Sequence, residues 1–288
     1  RDSLFLESVG GVVYPPRHIP LNVFALEGHT PYERAGAFID VLAKIYGGIG
    51  PVQKQRLSQA IRQCYEDSIA EPTMGQVYEA YREATGDAPD SVSSILEMFV
   101  MYEVFSENKD ELKSFKELMA DRVVVIGLSE LGVQKDAKNA IVALFLNFYF
   151  EYMLKSTKWP FVGSFPQLRR LNSYLLIDEA SNIMKYGFPV LEEILIQGRE
   201  FGVGVILSAQ YLSQFRAAGY SYAEPLRTWL IHRVPQLTVT ELRQLGLVQA
   251  NDQLVARVQT QEQHECYYRS LDVDGSFITE TPFYRLRS

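Results

Sequence analysis

Cysteine is scarce in this 288-residue chain: Cys64 and Cys266 are the only two. Two thiols cannot build a disulfide framework, and they point to a reducing, cytoplasmic setting. Histidine is nearly as thin, with four scattered residues, so no clustered ligand set for zinc is expected. No long hydrophobic run is present. The most apolar stretch, Ala140 to Leu154, is interrupted by Asn147 and Glu151; it reads as a buried helix and is too short to span a bilayer comfortably. With no signal peptide either, no membrane partner is expected. There is no block of like charge, no low-complexity tract and no internal repeat. The net charge of −7 argues against a general nucleic-acid binder, which tends to be basic. It still allows basic residues confined to a local surface such as a pore.

Against these absences stands 47% apolar content, enough for one large α/β domain with an insertion, or two smaller ones. The most informative stretch is Tyr174-Leu175-Leu176-Ile177-Asp178-Glu179-Ala180. Its apolar run predicts a strand buried on both faces, as in a parallel sheet. Carboxylates are not tolerated deep in a core without partners. At the carboxyl end of such a strand, Asp178 and Glu179 reach the crevice where α/β sheets bind ligands. This is the arrangement of a Walker B strand, in which Asp178 helps to hold Mg²⁺ and Glu179 orients or activates an attacking water. The plainer alternative is a strand ending in an acidic helix cap. A helix is predicted over Phe188 to Arg199, and a break at Gly198-Arg199-Glu200-Phe201-Gly202 follows. A second buried strand, Val203 to Ser208, ends in Ala209-Gln210. A strand-tip amide such as Gln210 can bind a γ-phosphate or its attacking water without titrating.

The phrases LLIDEA and GREFGVGVILSAQ resemble the HerA/FtsK superfamily of hexameric DNA-pumping ATPases, which includes HerA-like helicases and conjugation-type motors. The resemblance implies an α/β fold: a RecA-like P-loop NTPase core with a helical insertion and an antiparallel C-terminal extension. It implies ATP and Mg²⁺ as cofactors, a homo-oligomeric ring (a hexamer) and double-stranded DNA as the partner, translocated or unwound. By the same resemblance Arg199 would complete a neighbouring subunit's site. Arg233 is a weaker candidate for that role, and His232 reads as a structural histidine. The divergent loops look similar to the HerA-like type of phosphorothioate-linked DNA defence (DptH/DndH), which would bring defence-system or nuclease partners. Two rival readings stand beside this one: a type IV secretion or conjugation ATPase, and a non-catalytic assembly module.

One element of that family is missing. No G-x-x-x-x-G-K-[ST] phosphate loop occurs. The nearest glycine phrases, Gly47-Gly48-Ile49-Gly50-Pro51 and Val9-Gly10-Gly11-Val12, lack the lysine. The family's order puts this loop before the helical insertion, hence before Arg1. The expectation is therefore an excised C-terminal part, inactive alone, with residues 1–29 starting the core, 30–120 as the helical insertion and 121–288 as the remaining core.

The rest of the chain reads as follows. Leu4 to Leu6 and Gly11 to Tyr14 are strand-like, and Leu21 to Phe24 is a short edge segment. Thr30-Pro31-Tyr32-Glu33 is a capping box opening a helix to Tyr46. Gly50-Pro51 opens a second, with Leu57, Ile61, Cys64 and Tyr65 on one face. Pro72-Thr73-Met74 opens a third, and Asp90 or Ser91 caps a fourth that runs to about Ser106. A strand over Arg122 to Leu128 is followed by a loop, Ser129 to Asn139, carrying Lys135 and Lys138. The irregular stretch Lys155 to Asn172 interleaves Lys155, Lys158, Arg169 and Arg170 with Trp159, Phe161 and Phe165, a composition suited to phosphate and base contacts. A solvated loop with an aromatic anchor is the plainer account. A mobile loop with Arg216 is expected over Tyr211 to Glu224, a strand over Arg227 to Val234 and a helix over Gln236 to Leu245. An antiparallel finish turns at Asp274-Gly275. Together Lys135, Lys138, Lys155, Lys158, Arg169, Arg170 and Arg216 are the DNA-contact candidates.

Overall fold

The computed structural model describes residues 10–46, 48–67, 71–120, 123–128, 131, 135–162, 169–217, 219–247, 249–270 and 273–281. The expected strand Leu4 to Leu6 lies outside these, as does Phe165. The chain divides into two compact units, Arg1–Lys155 and Ser156–Ser288.

In the first unit, strand β1 (Gly11–Tyr14) pairs in parallel with β2 (Val123–Ile126), Gly11 opposite Val123. Between them run helices α1 (Pro31–Tyr46), α2 (Pro51–Asp67), α3 (Met74–Thr85), α4 (Ser91–Met101) and α5 (Phe115–Leu118). Local chemistry sets their starts. The Glu33 carboxylate accepts the Thr30 N–H at 2.7 Å while the Glu33 N–H returns to Thr30 Oγ1 at 3.3 Å. That backbone bond holds the Glu33 carboxyl below its ordinary value. Thr73 and Gln76, Asp90 and Ser93, and Ser114 and Glu117 repeat the reciprocal arrangement on α3, α4 and α5. The core beneath includes Phe24, Leu42, Leu57, Ile61, Val77, Tyr81, Leu96 and Phe99, and buries Cys64.

Helix α4 stops at Met101 rather than near Ser106. Glu103 takes a left-handed backbone (φ 50°), and the next residues pair with 18–19: the His18 and Ile19 amides donate to the Glu103 and Val104 carbonyls, and Ser106 N–H to Ile19 O. The segment's hydrogen bonds are spent on a parallel bridge, so the helix cannot continue. Leu21 makes a similar isolated bridge to Lys113.

Helix α6 (Lys135–Lys155) starts five residues before the expected Ala140. Lys135 and Lys138 therefore sit on a helix and not on a loop, and Lys155 closes that helix instead of opening an irregular stretch. The two polar interruptions of its apolar run have partners. Asn147 donates to the Ala143 carbonyl at 2.7 Å, and Glu151 stands 3.3 Å from the guanidinium of Arg34, which is only 2% exposed. Phe148 stacks on Phe115 at 5.8 Å. Among the described residues no helix is long and apolar enough to cross a membrane.

In the second unit, β3 (Ser173–Ile177) and β4 (Val203–Leu207) pair in parallel, Ser173 opposite Val203 and Ile177 opposite Leu207. They are joined through α7 (Ser181–Met184), α8 (Pro189–Gln197) and a 3₁₀ turn, Gly198–Phe201. The expectation of a β3 buried on both faces is not met. Tyr174 and Leu176 are 60% and 65% exposed, and Ile206 on the same face is 48% exposed. Only the opposite face of the pair is covered, with Val203 against Gly198 and Leu191 and Ile194 of α8 buried. Gly204 is required on the open face, since a Cβ there would lie 2.5 Å from the Tyr174 ring.

Strand β4 leads through a 3₁₀ turn (Leu212–Phe215) into the small hairpin β5 (Arg216–Ala217) and β6 (Tyr220–Ser221). Arg216 is thus in a paired strand rather than a mobile loop. Strand β7 (Thr228–Ile231), helices α9 (Val239–Gln244) and α10 (Asp252–Gln259), and strands β8 (Glu265–Ser270) and β9 (Val273–Thr279) complete the chain. β7, β8 and β9 form an antiparallel sheet in that order. Asp274 and Gly275 lie inside β9 and are not its turn, because Ser270 already pairs with Val273. Gly275 sits where the Tyr267 side chain crosses the strand and leaves no room for a Cβ. Cys266 is buried in this sheet.

Candidate active site

The carboxyl ends of β3 and β4 hold the candidate site. Beyond Ile177 and Leu207 the pairing continues: Ser208 N–H donates to Ile177 O at 3.1 Å, and Ala180 N–H donates to Ser208 O at 2.8 Å. Between these two bonds the chain must fit Asp178 and Glu179, and Glu179 does so in a left-handed conformation with φ 48°. For a non-glycine residue this costs on the order of 1–3 kcal/mol and is held by its surroundings. Here the surroundings are specific. Glu179 N–H is shared between Asp178 Oδ1 and Ser208 Oγ, both at 3.0 Å, and the Ser208 hydroxyl itself donates to Asp178 Oδ1. The Glu179 carboxylate accepts from Asn182 Nδ2 at 3.1 Å, on the first turn of α7, and Asn182 Oδ1 accepts from Lys185. Asp178 and Glu179 are both exposed. Two carboxylates therefore face solvent from a braced backbone.

Gln210, two residues beyond Ser208, is exposed, and its backbone N–H is held by Gln214 Oε1 at 3.1 Å. Asp178, Glu179 and Gln210 thus belong to one end of the β3–β4 pair. Arg199 does not. It is exposed on the 3₁₀ turn that enters β4, at the amino end. Five strand residues separate the two ends, roughly 17 Å at the rise of a parallel strand.

Three basic candidates of the second unit, Lys158, Arg169 and Arg170, gather at that amino end. Lys158 pairs with Glu200 at 2.5 Å and lies over the Phe201 ring, which depresses the Glu200 carboxyl through the lysine hydrogen bond. Arg169 stacks on Phe161 at 4.1 Å and donates to Trp159 O, and Arg170 lies over Trp159 at 4.9 Å. The loop is pinned to β4: Asn172 N–H donates to Gly202 O at 2.7 Å, and Gly202 leaves room for Arg170 O. The cations expected to meet phosphates are thus stacked on the chain's own aromatics. Lys155, in the first unit, donates to Glu27 O and lies 3.1 Å from His29 Nε2. Lys138 is half-buried on α6, and Arg216 is exposed on β5. His232 stands 3.9 Å from Glu280 at the end of β7.

The residues present fit Mg²⁺ in one limited way. No group of three or more His, Cys, Asp or Glu among the described residues could hold a metal alone. Mg²⁺ is commonly bound by one or two carboxylates together with substrate phosphates and waters. Asp178, with Oδ1 engaged and Oδ2 without a protein partner among the described residues, suits that partial role. Ser208 was not anticipated from sequence. Its signal was its place between an apolar strand and Gln210, but its partners become visible only once β3 and β4 are paired.

No protein-family model matches the chain, and no curated protein matches it by sequence. Its fold is similar to that of solved structures. VirB4 of Thermoanaerobacter pseudethanolicus superposes with a TM-score of 0.67 at 13% identity, over 99% of this chain and 80% of that one. The bacterial conjugative coupling protein TrwB, lacking its N-terminal segment, gives 0.57 unbound and 0.59 in complex with sulphate, at 14% identity over 94% of this chain and 74% of that one. The fold is that of RecA-like P-loop ATPases, with small sheets. The α/β expectation, with its helical insertion and antiparallel C-terminal extension, agrees with it.

Proposed function

We propose that this chain is the Walker B and sensor part of an ATPase of the conjugation or type IV secretion kind, coupling ATP hydrolysis to the export of a macromolecule. The observation that carries the reading is the braced Asp178-Glu179 turn at the tip of paired parallel strands, in a fold shared with VirB4 and a conjugative coupling protein. Mg²⁺, when bound with ATP, would neutralise charge on the transferring phosphoryl group. Asp178 would help to hold that ion through its open oxygen, Oδ2. Glu179, turned outward by its left-handed backbone, orients the attacking water. Gln210 contacts the γ-phosphate through an amide that does not titrate. Arg199, at the far end of β4, serves a neighbouring copy in a ring, because it cannot reach its own carboxylates. A HerA-type translocase of double-stranded DNA comes second. It rests on the motif resemblance in residues 174–210, and its more particular form in phosphorothioate-linked defence rests on loop resemblance alone.

The test is ATP turnover by the full-length protein that carries these residues, with and without single-stranded and duplex DNA, beside its Glu179→Gln variant. The expected result is Mg²⁺-dependent turnover that falls ~10²–10⁴-fold in the variant, the scale for loss of a positioned base. Turnover indifferent to Glu179 would overturn the reading. Stimulation that grows with duplex length would favour the HerA-type alternative.

A further inference from the structure

We infer that Ser208 is a positioning residue for the Asp178-Glu179 pair, the link by which the sensor strand sets the geometry of the two carboxylates. The inference rests on the ATPase reading above and concerns a residue to which that reading gives no role in turnover. Every polar group of Ser208 is engaged with the same turn. Its N–H holds Ile177 O, its carbonyl holds Ala180 N–H, and its hydroxyl donates to Asp178 Oδ1 while accepting from Glu179 N–H.

The division of labour among these bonds makes the hydroxyl separable. The two backbone bonds zip the end of β4 to β3 and do not depend on the side chain. The hydroxyl joins the Glu179 N–H on Asp178 Oδ1, and between them they engage that oxygen and leave Oδ2 open. It also supplies one of the two acceptors that keep Glu179 in its left-handed conformation. Each of these exposed hydrogen bonds is modest in net energy, and what the hydroxyl supplies is orientation. Positioning within a fraction of an ångström is what a water-orienting carboxylate needs. Gln210 follows Ser208 by two residues on the same chain. A movement of the Gln210 backbone is therefore passed to the residue that holds the Asp178 carboxylate and the Glu179 backbone N–H, with no intervening side chain.

The experiment uses the full-length protein and three variants: Ser208→Ala, Ser208→Thr and Glu179→Gln. Turnover is resolved into kcat and KM for ATP, and amide exchange is followed at Glu179, Ala180 and Ser208. The inference expects Ser208→Ala to lower kcat ~10–100-fold with KM within about threefold, the signature of an interaction that matters in the transition state. It expects Glu179 N–H to exchange at least about tenfold faster, with Ala180 and Ser208 protected as before. Ser208→Thr, which keeps the hydroxyl, should restore both readouts. If Ser208→Ala matches the parent while Glu179→Gln is inactive, the inference is overturned and the ATPase reading stands. A loss in Ser208→Ala that Thr does not restore, with all three amides deprotected, shows a merely structural serine and overturns it too. If Glu179→Gln turns over normally, the ATPase reading fails and the inference with it.

Discussion

The helical block between Thr30 and Leu118 and the β3–β4 pair are built on opposite terms. In the helical block four of the five helices begin at a reciprocal cap made within three residues: Thr30 with Glu33, Thr73 with Gln76, Asp90 with Ser93, Ser114 with Glu117. Beneath them the apolar faces close on one another, and Leu57, Ile61, Val77 and Leu96 are fully buried. In the β3–β4 pair the strands form and take the right register, but Tyr174, Leu176 and Ile206 remain open on one face. A helix start is decided by neighbours in sequence. The burial of a strand face is decided by what lies across it. The helical block is therefore organised for stability, and the strand pair for the presentation of its carboxyl end.

Stability measurements can break or sharpen this contrast. The largest effect belongs to the helical core. Leu96→Ala should cost ~2–5 kcal/mol, as for other fully buried leucines, seen as a lower urea midpoint with an unchanged slope. A cost under about 1 kcal/mol would mean that the block is not closed around α4. Next comes the cap of the same helix. Asp90 accepts from two backbone amides and from the Tyr81 hydroxyl at 2.7 Å, so Asp90→Ala should cost about 2 kcal/mol, the upper part of the range for caps. The smallest effect is expected on the open strand face, where Leu176→Ser should change stability by no more than about 0.5 kcal/mol. A loss near that of Leu96→Ala would show that something covers this face in solution, and the contrast would fall.

Much of this was legible in the chain itself, and the residues that were not share a cause. Thr30, Thr73 and Asp90 announce their helices because capping acts within a single turn, and the Ser114–Glu117 cap of α5 carried the same signal without being recognised. Asp178, Glu179 and Gln210 stand out because each follows an apolar run of strand length, which places it at a strand tip. Ser208 did not stand out, because its partner Asp178 is 30 residues away and is reached only through the strand register. The basic residues show the same limit in reverse. Lys158, Arg169 and Arg170 read as phosphate contacts among aromatics, but their particular partners, Glu200, Phe201, Phe161 and Trp159, come only with the fold. The early end of α4 was hidden as well, since it depends on Ile19 bridging Phe105 far along the chain. Gly275 looked like a turn residue, and only the Tyr267 ring explains it as a strand residue.

The two cysteines carry a practical consequence. Both are free and buried, and burial raises both thiols, Cys266 to about 11. Thiol reagents need an accessible thiolate, and burial withholds both cysteines of the folded chain from them. A single cysteine introduced at an exposed position such as Ile206 would then take a spin label or fluorophore with little background from the native thiols. The chain comes ready for site-specific spectroscopy of its strand tips, with no native cysteine to remove first.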